Sequence, residues 1–291
     1  MGEDRKKTIL FISIVCLVCA FLLSSVAVIL QPKQKKAALA YQVKQLLIAS
    51  KILSSDGYLL VKKNDQYVRA SLDLPTHLLV EDPKASLPND TIIFTLYNKR
   101  IKSLLTNEDG EVFTFKELNI DEEDYVESNK RQGYAHLPYK LVYQVLDNTS
   151  QRGVESYVIP VNGFGLWDAI YGYIGIKPDG NTVIGITWYE QKETPGLGAE
   201  INLPAWQKQF KGKQIFHQSL DGQIHFQTAQ IGIIVVKGTV KDIYGTGPKS
   251  FSAVDGISGA TETGNGISNA YRDSLTPYRQ FLINLHEGKI Q

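Results

Sequence analysis

An α+β domain behind a single N-terminal transmembrane helix is the fold class that the sequence predicts. Three observations carry it. Thr8 to Leu30 is a run of 23 residues without a charge, enough to cross a hydrocarbon core of about 30 Å as a helix. From Tyr139 onward, apolar runs of strand length are separated by Gly, Asp and Asn turns. Helical patterns occur among these runs without the strict alternation of a doubly wound sheet.

The apolar run is flanked by Arg5, Lys6 and Lys7 on one side and by Lys33, Lys35 and Lys36 on the other. Flanking charge therefore does not orient it, and a large C-terminal domain can be translocated regardless. Ser25-Val26-Ala27 loosely fits a signal-peptide cleavage site. The apolar residues continue to Leu30, however, which favours a retained span. Cys16 and Cys19 lie inside the run and read as small hydrophobes. No cysteine follows them, which excludes disulfides, cysteine-ligated clusters and thiol chemistry from the remainder.

Gln34 to Leu53 has helical spacing, with Ala40, Val43, Leu46 and Leu47 on one face. Beyond it, Thr91 to Tyr97 reads as a strand, and Asp121-Glu122-Glu123-Asp124 as a solvated acidic loop. Leu141–Leu146, Ser156–Pro160 and Thr182–Trp188 read as strands, and Ala205–Phe210 as one or two helical turns around Trp206. Ile231–Val236 is continuously apolar, as in a strand buried on both faces. Gly266 to Leu275 has helical spacing, and Thr276-Pro277 reads as the cap and first position of a final helix through Leu285. By texture the chain divides into a membrane anchor (1–31), a linker helix with an accessory α+β region (32–138) and a C-terminal domain (139–291).

Composition narrows the function. In 291 residues, 31 basic side chains face 30 acidic ones, so nothing electrostatic points to nucleic acid. His77, His136, His217, His225 and His286 show no metal-ligand spacing, although a turn at Asp221-Gly222 would bring His217 and His225 across from each other.

The richest chemistry lies in Asp255-Gly-Ile-Ser-Gly-Ala-Thr-Glu-Thr-Gly-Asn-Gly266. Gly259 and Gly264 have the separation of a phosphate-binding Walker loop, but Asn265-Gly266 stands where Lys and Ser or Thr are required. Gly163-Phe-Gly165 lacks the third glycine of a dinucleotide fingerprint. What remains is Ser258-Gly259-Ala260-Thr261 before a helix. Small residues leave the Thr261 hydroxyl accessible, and a helix N-terminus behind it suits a phosphate. The alternative is an ordinary loop in which Thr261 or Thr263 caps that helix.

Asp-x-x-Ser-Gly-Ala-Thr-x-Thr resembles the signal at which a flavin transferase attaches FMN through its phosphate. Gly163-Phe-Gly-Leu-Trp-Asp-Ala-Ile-Tyr-Gly172, Glu193-Thr-Pro-Gly-Leu-Gly-Ala-Glu200 and Pro204-x-Trp206 extend the likeness. Together these stretches resemble the C subunit of the Na⁺-translocating NADH:quinone reductases, a relative of the G subunit of the Rnf ferredoxin:NAD⁺ complex. One departure is Gln191, where the family often has His.

The resemblance implies a mixed α/β FMN-binding domain with covalent FMN on Thr261, and a signal formed by Asp255, Ser258, Gly259, Ala260 and Thr263. It implies ring contacts from Thr194, Gly196, Leu197 and Trp167, whereas core packing is the bland alternative for Trp167 and Trp206. No general acid, general base, nucleophile or metal is expected, because redox chemistry belongs to the flavin. The implied partners are the other subunits of a membrane reductase complex, a flavin transferase and the bacterial inner membrane, with the C-terminal domain periplasmic. Electrons would pass from NADH through this subunit to quinone, coupled to Na⁺ export elsewhere. An Rnf-type subunit and an anchored extracytoplasmic module without turnover are the competing expectations; the long stretch between anchor helix and flavin domain disfavours the first.

Overall fold

A computed structural model describes residues 2–64, 66–149 and 153–290. The chain separates into two units, one up to Gln42 and a compact one from Val43 onward. The first consists of helix α1 (Gly2–Ala49), which runs on into the second. Its apolar side chains from Ile9 to Leu30 are exposed, and the helix is long and apolar enough to cross a membrane. It passes through Pro32, which has no N–H to donate to the Val28 carbonyl.

The compact unit is built on a six-stranded antiparallel sheet. In chain order its elements begin with β1 (Leu60–Lys63), β2 (Gln66–Asp73) and β3 (Leu78–Glu81), which form a separate three-stranded sheet. Then come α2 (Asp90–Arg100), β4 (Ile101–Thr106), β5 (Val112–Phe113) and α3 (Glu122–Asn129). β6 (Lys140–Leu146), β7 (Val154–Phe164), β8 (Ala169–Ile176) and β9 (Val183–Glu190) follow. The large sheet has the order β5-β4-β6-β7-β8-β9. The last third contains α4 (Pro204–Gln207), β10 (Ile234–Val235), α5 (Val240–Tyr244), β11 (Ala253–Val254), α6 (Thr261–Leu275) and α7 (Arg279–His286).

Strand periodicity sorts the core onto the two faces of the large sheet. Val142, Ile159, Val161, Ile174 and Trp188 point to one face, where Ile267, Tyr271 and Leu275 of α6 and Phe281 of α7 meet them. Leu141, Tyr143, Val158 and Tyr173 point to the other, against Val43, Leu46 and Leu47 of α1 and Ile93 and Leu96 of α2. Antiparallel strands with helices on both faces give the α+β class that the sequence predicts.

Four local expectations are corrected. Thr91–Tyr97 is not a strand but lies within α2. Asn89 caps that helix by accepting from the Ile92 N–H at 3.0 Å, and Ile93, Leu96 and Arg100 share its buried face. The acidic run is exposed, yet it is no loop: Asp121 caps α3, and Glu122, Glu123 and Asp124 occupy the first turn, where the helix dipole favours carboxylates. Ile231–Val236 contributes only the two-residue strand β10, paired in parallel with β11, because Gly232 turns the backbone at φ +124°. Thr276 is helical rather than an N-cap. Its hydroxyl donates back to the Arg272 carbonyl at 2.6 Å, and one 3₁₀ turn joins α6 to α7. The turns around Trp206 are present as α4.

The texture boundary at 138/139 crosses a continuous sheet, since β4 pairs with β6 from Ile101↔Val145 to Thr106↔Lys140. A buried polar knot ties the small sheet to the large one. Arg100 Nε donates to the Leu146 carbonyl at 2.6 Å, and its NH2 pairs with Glu155 at 2.6 Å. Asn148 exchanges two 2.8 Å hydrogen bonds with the backbone of Leu79 on β3. Truncation of one partner leaves the other buried and uncompensated. Arg100→Ala is expected to cost about 3–5 kcal/mol, read as a lower midpoint in urea unfolding of the full chain.

Candidate functional site

The glycine-rich stretch enters α6 without a side-chain cap. Ala260 is the N-cap residue, and it makes no side-chain cap hydrogen bond. The first intrahelical bond runs from the Gly264 N–H to the Ala260 carbonyl at 3.0 Å, so the N–H groups of Thr261, Glu262 and Thr263 precede the ladder. Thr261 is exposed at the first helical position, whereas Thr263 is buried. The ordinary-cap alternative therefore fits neither threonine.

Thr261 lines an open cleft of about 570 Å³. Asp255, Gly256, Ser258, Gly259 and Ala260 line it together with Val236, Lys237, Gly238 and Thr239, the two stretches being joined by the Gly256 N–H donating to the Gly238 carbonyl at 2.9 Å. One carboxylate oxygen of Asp255 is engaged in holding the backbone. It accepts from the Val240 N–H at 2.6 Å, anchoring the start of α5, while its own N–H and carbonyl are held by Gln209 and the Trp206 indole. Lys237 is the ammonium among the lining residues, and it is exposed.

Thr263 points the opposite way and reaches a carboxylate seventy positions earlier in the chain. Its hydroxyl donates to Glu193 Oε2 at 2.5 Å. Glu193 is only 5% exposed, and it also accepts from the backbone N–H groups of Leu166 at 3.1 Å and Trp167 at 3.0 Å. One carboxylate thus joins the β7–β8 turn, the Glu193–Gly198 segment and α6. Burial works to raise its pKa. The Thr263 hydroxyl and the N–H groups of Trp167, Leu166 and Asp168 outweigh this and hold it below the usual carboxylate range. Gln191, at the family's histidine position, turns its side-chain carbonyl onto the Glu193 N–H.

The expected ring contacts assemble beside this junction rather than in the lining of the cleft. Trp167 is 67% exposed, and its indole N–H donates to the Thr194 hydroxyl at 3.1 Å. Gly196 makes an exposed turn at φ +76°, and Leu197 is exposed next to Gly259. Gly259 has φ +74°, and a Cβ there would lie 2.8 Å from Leu197 Cδ2, so glycine is required both by conformation and by space. A Cβ on Gly198 would collide with the Thr263 hydroxyl and Glu193. Core packing describes Trp206, buried edge-on to Phe210, but not Trp167. His217 and His225 take separate partners, the Gly232 carbonyl and Asp221.

Sequence reasoning missed Glu193 as the organiser, and Lys237 and Gln209 as cleft residues. A buried carboxylate among Pro, Gly and Thr was the available signal for the first. Nothing in spacing marked the other two, because they reach the cleft through tertiary folding.

A family model described as an FMN-binding domain matches residues 165–276. The chain is 39% identical over 290 residues to the C subunit of the Na(+)-translocating NADH-quinone reductase of Chlamydia caviae, spanning 95% of this chain and 91% of that one. It is 41% identical over 301 residues to the same-named subunit of Chlamydia pneumoniae, spanning 96% and 93%. The crystal structure of the corresponding subunit from Parabacteroides distasonis superposes with a TM-score of 0.54 at 26% identity, covering 87% of this chain and 96% of that one.

Replacing Glu193 by Gln turns an acceptor of three hydrogen bonds into a group that must aim an amide N–H at a donor. The expected loss at neutral pH is about 1–3 kcal/mol. Since the folded-state pKa is depressed, the wild-type advantage is complete above the unfolded value of about 4.3. It disappears as pH falls through the lower folded value. Urea midpoints of the two proteins measured from pH 7 down to acid should therefore converge.

Proposed function

The chain belongs to the C-subunit family of the Na(+)-translocating NADH-quinone reductases, and from this premise we propose that it relays electrons through FMN esterified by its phosphate to Thr261. It is one component of a multi-subunit reductase and carries an FMN-binding domain. The observation that carries the finer reading is the free, exposed Thr261 at an uncapped helix start, on the wall of a cleft.

The residues fit the group. The cleft volume of about 570 Å³ lies within the range of small-molecule sites. Three N–H groups at the start of α6 and the Lys237 ammonium suit the single negative charge of a phosphodiester. Gly259 and Ala260 keep bulk away from the Thr261 hydroxyl. Trp167, Thr194, Gly196 and Leu197 offer an apolar surface with a close-approach backbone, which supports the expectation that they face the ring.

Bound there, the flavin supplies one- and two-electron transfer. The protein's part is to hold and orient. The Glu193 junction fixes the apolar surface relative to α6, and Asp255 fixes the start of α5 through the Val240 N–H. No side chain here is asked to act as an acid or a base. The apolar stretch of α1 supports a retained membrane anchor, and the family likeness supports the bacterial inner membrane, a periplasmic C-terminal domain and coupling to Na⁺ export within the whole complex.

Intact-mass analysis of the full chain, made in a host that has the flavin transferase, tests the attachment. Wild type should carry the mass of one FMN and Thr261→Ala none. An unmodified wild-type chain from that host overturns the reading. A reporter fused after the C-terminus should be active only on the periplasmic side.

A further inference from the structure

At the far end of α6, about 21 Å along the helix axis from Thr261, lies a second open cleft of about 780 Å³. Its walls are the β4–β5 turn (107–110), the segment before β6 and the start of the final helical run at Thr276-Pro277. The turn is clamped in place. Asn107 exchanges hydrogen bonds with Glu111, and the Asn284 amide of α7 donates to the Asp109 carbonyl at 3.0 Å.

Lys140 lines this cleft from the first position of β6, opposite Thr106. It shares the face of Val142 and is only 3% exposed, yet its Nζ has no hydrogen-bond partner among the described residues. A charge withdrawn from water without a partner is among the costliest arrangements in a protein. Structure alone does not require it, because a methionine would fill the same space. Other charged groups at the cleft do not meet the need. Arg279 already donates to the carbonyls of Phe226 and Ala229, His136 is exposed, and Glu108 and Asp109 sit at the exposed rim. Burial lowers the Lys140 pKa, and Glu108 works in the opposite direction without a direct bond.

We propose that this cleft is a binding site for an oxyanion, a carboxylate or phosphate group, toward which the Lys140 side chain turns so that its Nζ, covered by its neighbours in this structure, donates to a ligand oxygen. The site is separate from the flavin threonine and independent of the redox reading. Glu108 is then an internal competitor, because its carboxylate also lines the cleft and acts electrostatically on Lys140.

Thermal unfolding of the full-length protein in detergent, titrated with inorganic phosphate, with succinate or with sodium chloride at matched ionic strength, tests this. A ligand that binds only the folded state raises the midpoint saturably. The expected result is such a rise with phosphate or succinate and none with chloride. Response to phosphate alone identifies a phosphate ester as the natural ligand class, and response to succinate alone a carboxylate. Lys140→Met should weaken the apparent affinity by at least about tenfold, the loss of one charge-assisted hydrogen bond. Glu108→Gln, on the exposed rim where folding is not at stake, should strengthen it. Equal titrations for wild type and Lys140→Met, no strengthening in Glu108→Gln, or no saturable rise with either oxyanion would each overturn the proposal.

Discussion

The Glu193 carboxylate is the constraint on which the candidate site depends. Three segments far apart in the chain meet at it: the Leu166-Trp167 turn, the segment starting at Glu193 and the first turn of α6 through Thr263. A buried carboxylate is tolerable only when its lone pairs are occupied, and here three donors occupy them. The same requirement explains the small residues around it. Gly165 and Gly198 leave no room for a Cβ beside the carboxylate, so the backbone itself closes over the charge.

This junction also resolves the division of labour between two threonines in one helical turn. Thr263 is spent on structure, its hydroxyl committed to Glu193. Thr261 lies two positions earlier, about 200° around the helix, and so presents its hydroxyl to the cleft and solvent. Had either threonine capped α6, the hydroxyl would have been consumed by the backbone. The cap position instead goes to Ala260, which has no competing polar group.

Legibility in the sequence followed the range of the interactions involved. The apolar span, β6, β7 and β9, and the uncommitted Thr261 were readable because each is set by a local pattern or a short motif. Thr91–Tyr97 misled because β-branched and aromatic residues favour strands, while the Asn89 cap and the partners of Ile93 and Leu96 decide for a helix. Ile231–Val236 misled because apolar runs do not reveal that one glycine has φ +124°. Arg100 and Glu155, Glu193 and Thr263, and Lys140 were invisible as sites. Their roles arise from contacts or isolation that exist only once distant segments are packed.

The openness of the Thr261 cleft bears on the tether proposed there. Sites that hold small molecules by enclosure cover most of the ligand surface. Here the apolar groups beside the cleft, Leu166, Trp167 and Leu197, are themselves largely uncovered. Non-covalent retention on such a surface would be weak, because exposed apolar contact buries area on one side only. A covalent link replaces binding energy with effective concentration, so that a shallow surface keeps its ligand continuously. A flavin held as we propose would stay open to electron exchange with a neighbouring subunit, which enclosure would prevent. On the proposed reading, the exposed threonine, the uncapped helix start and the uncovered tryptophan form one arrangement: retention by a bond would permit exposure, and exposure is what a relay would require.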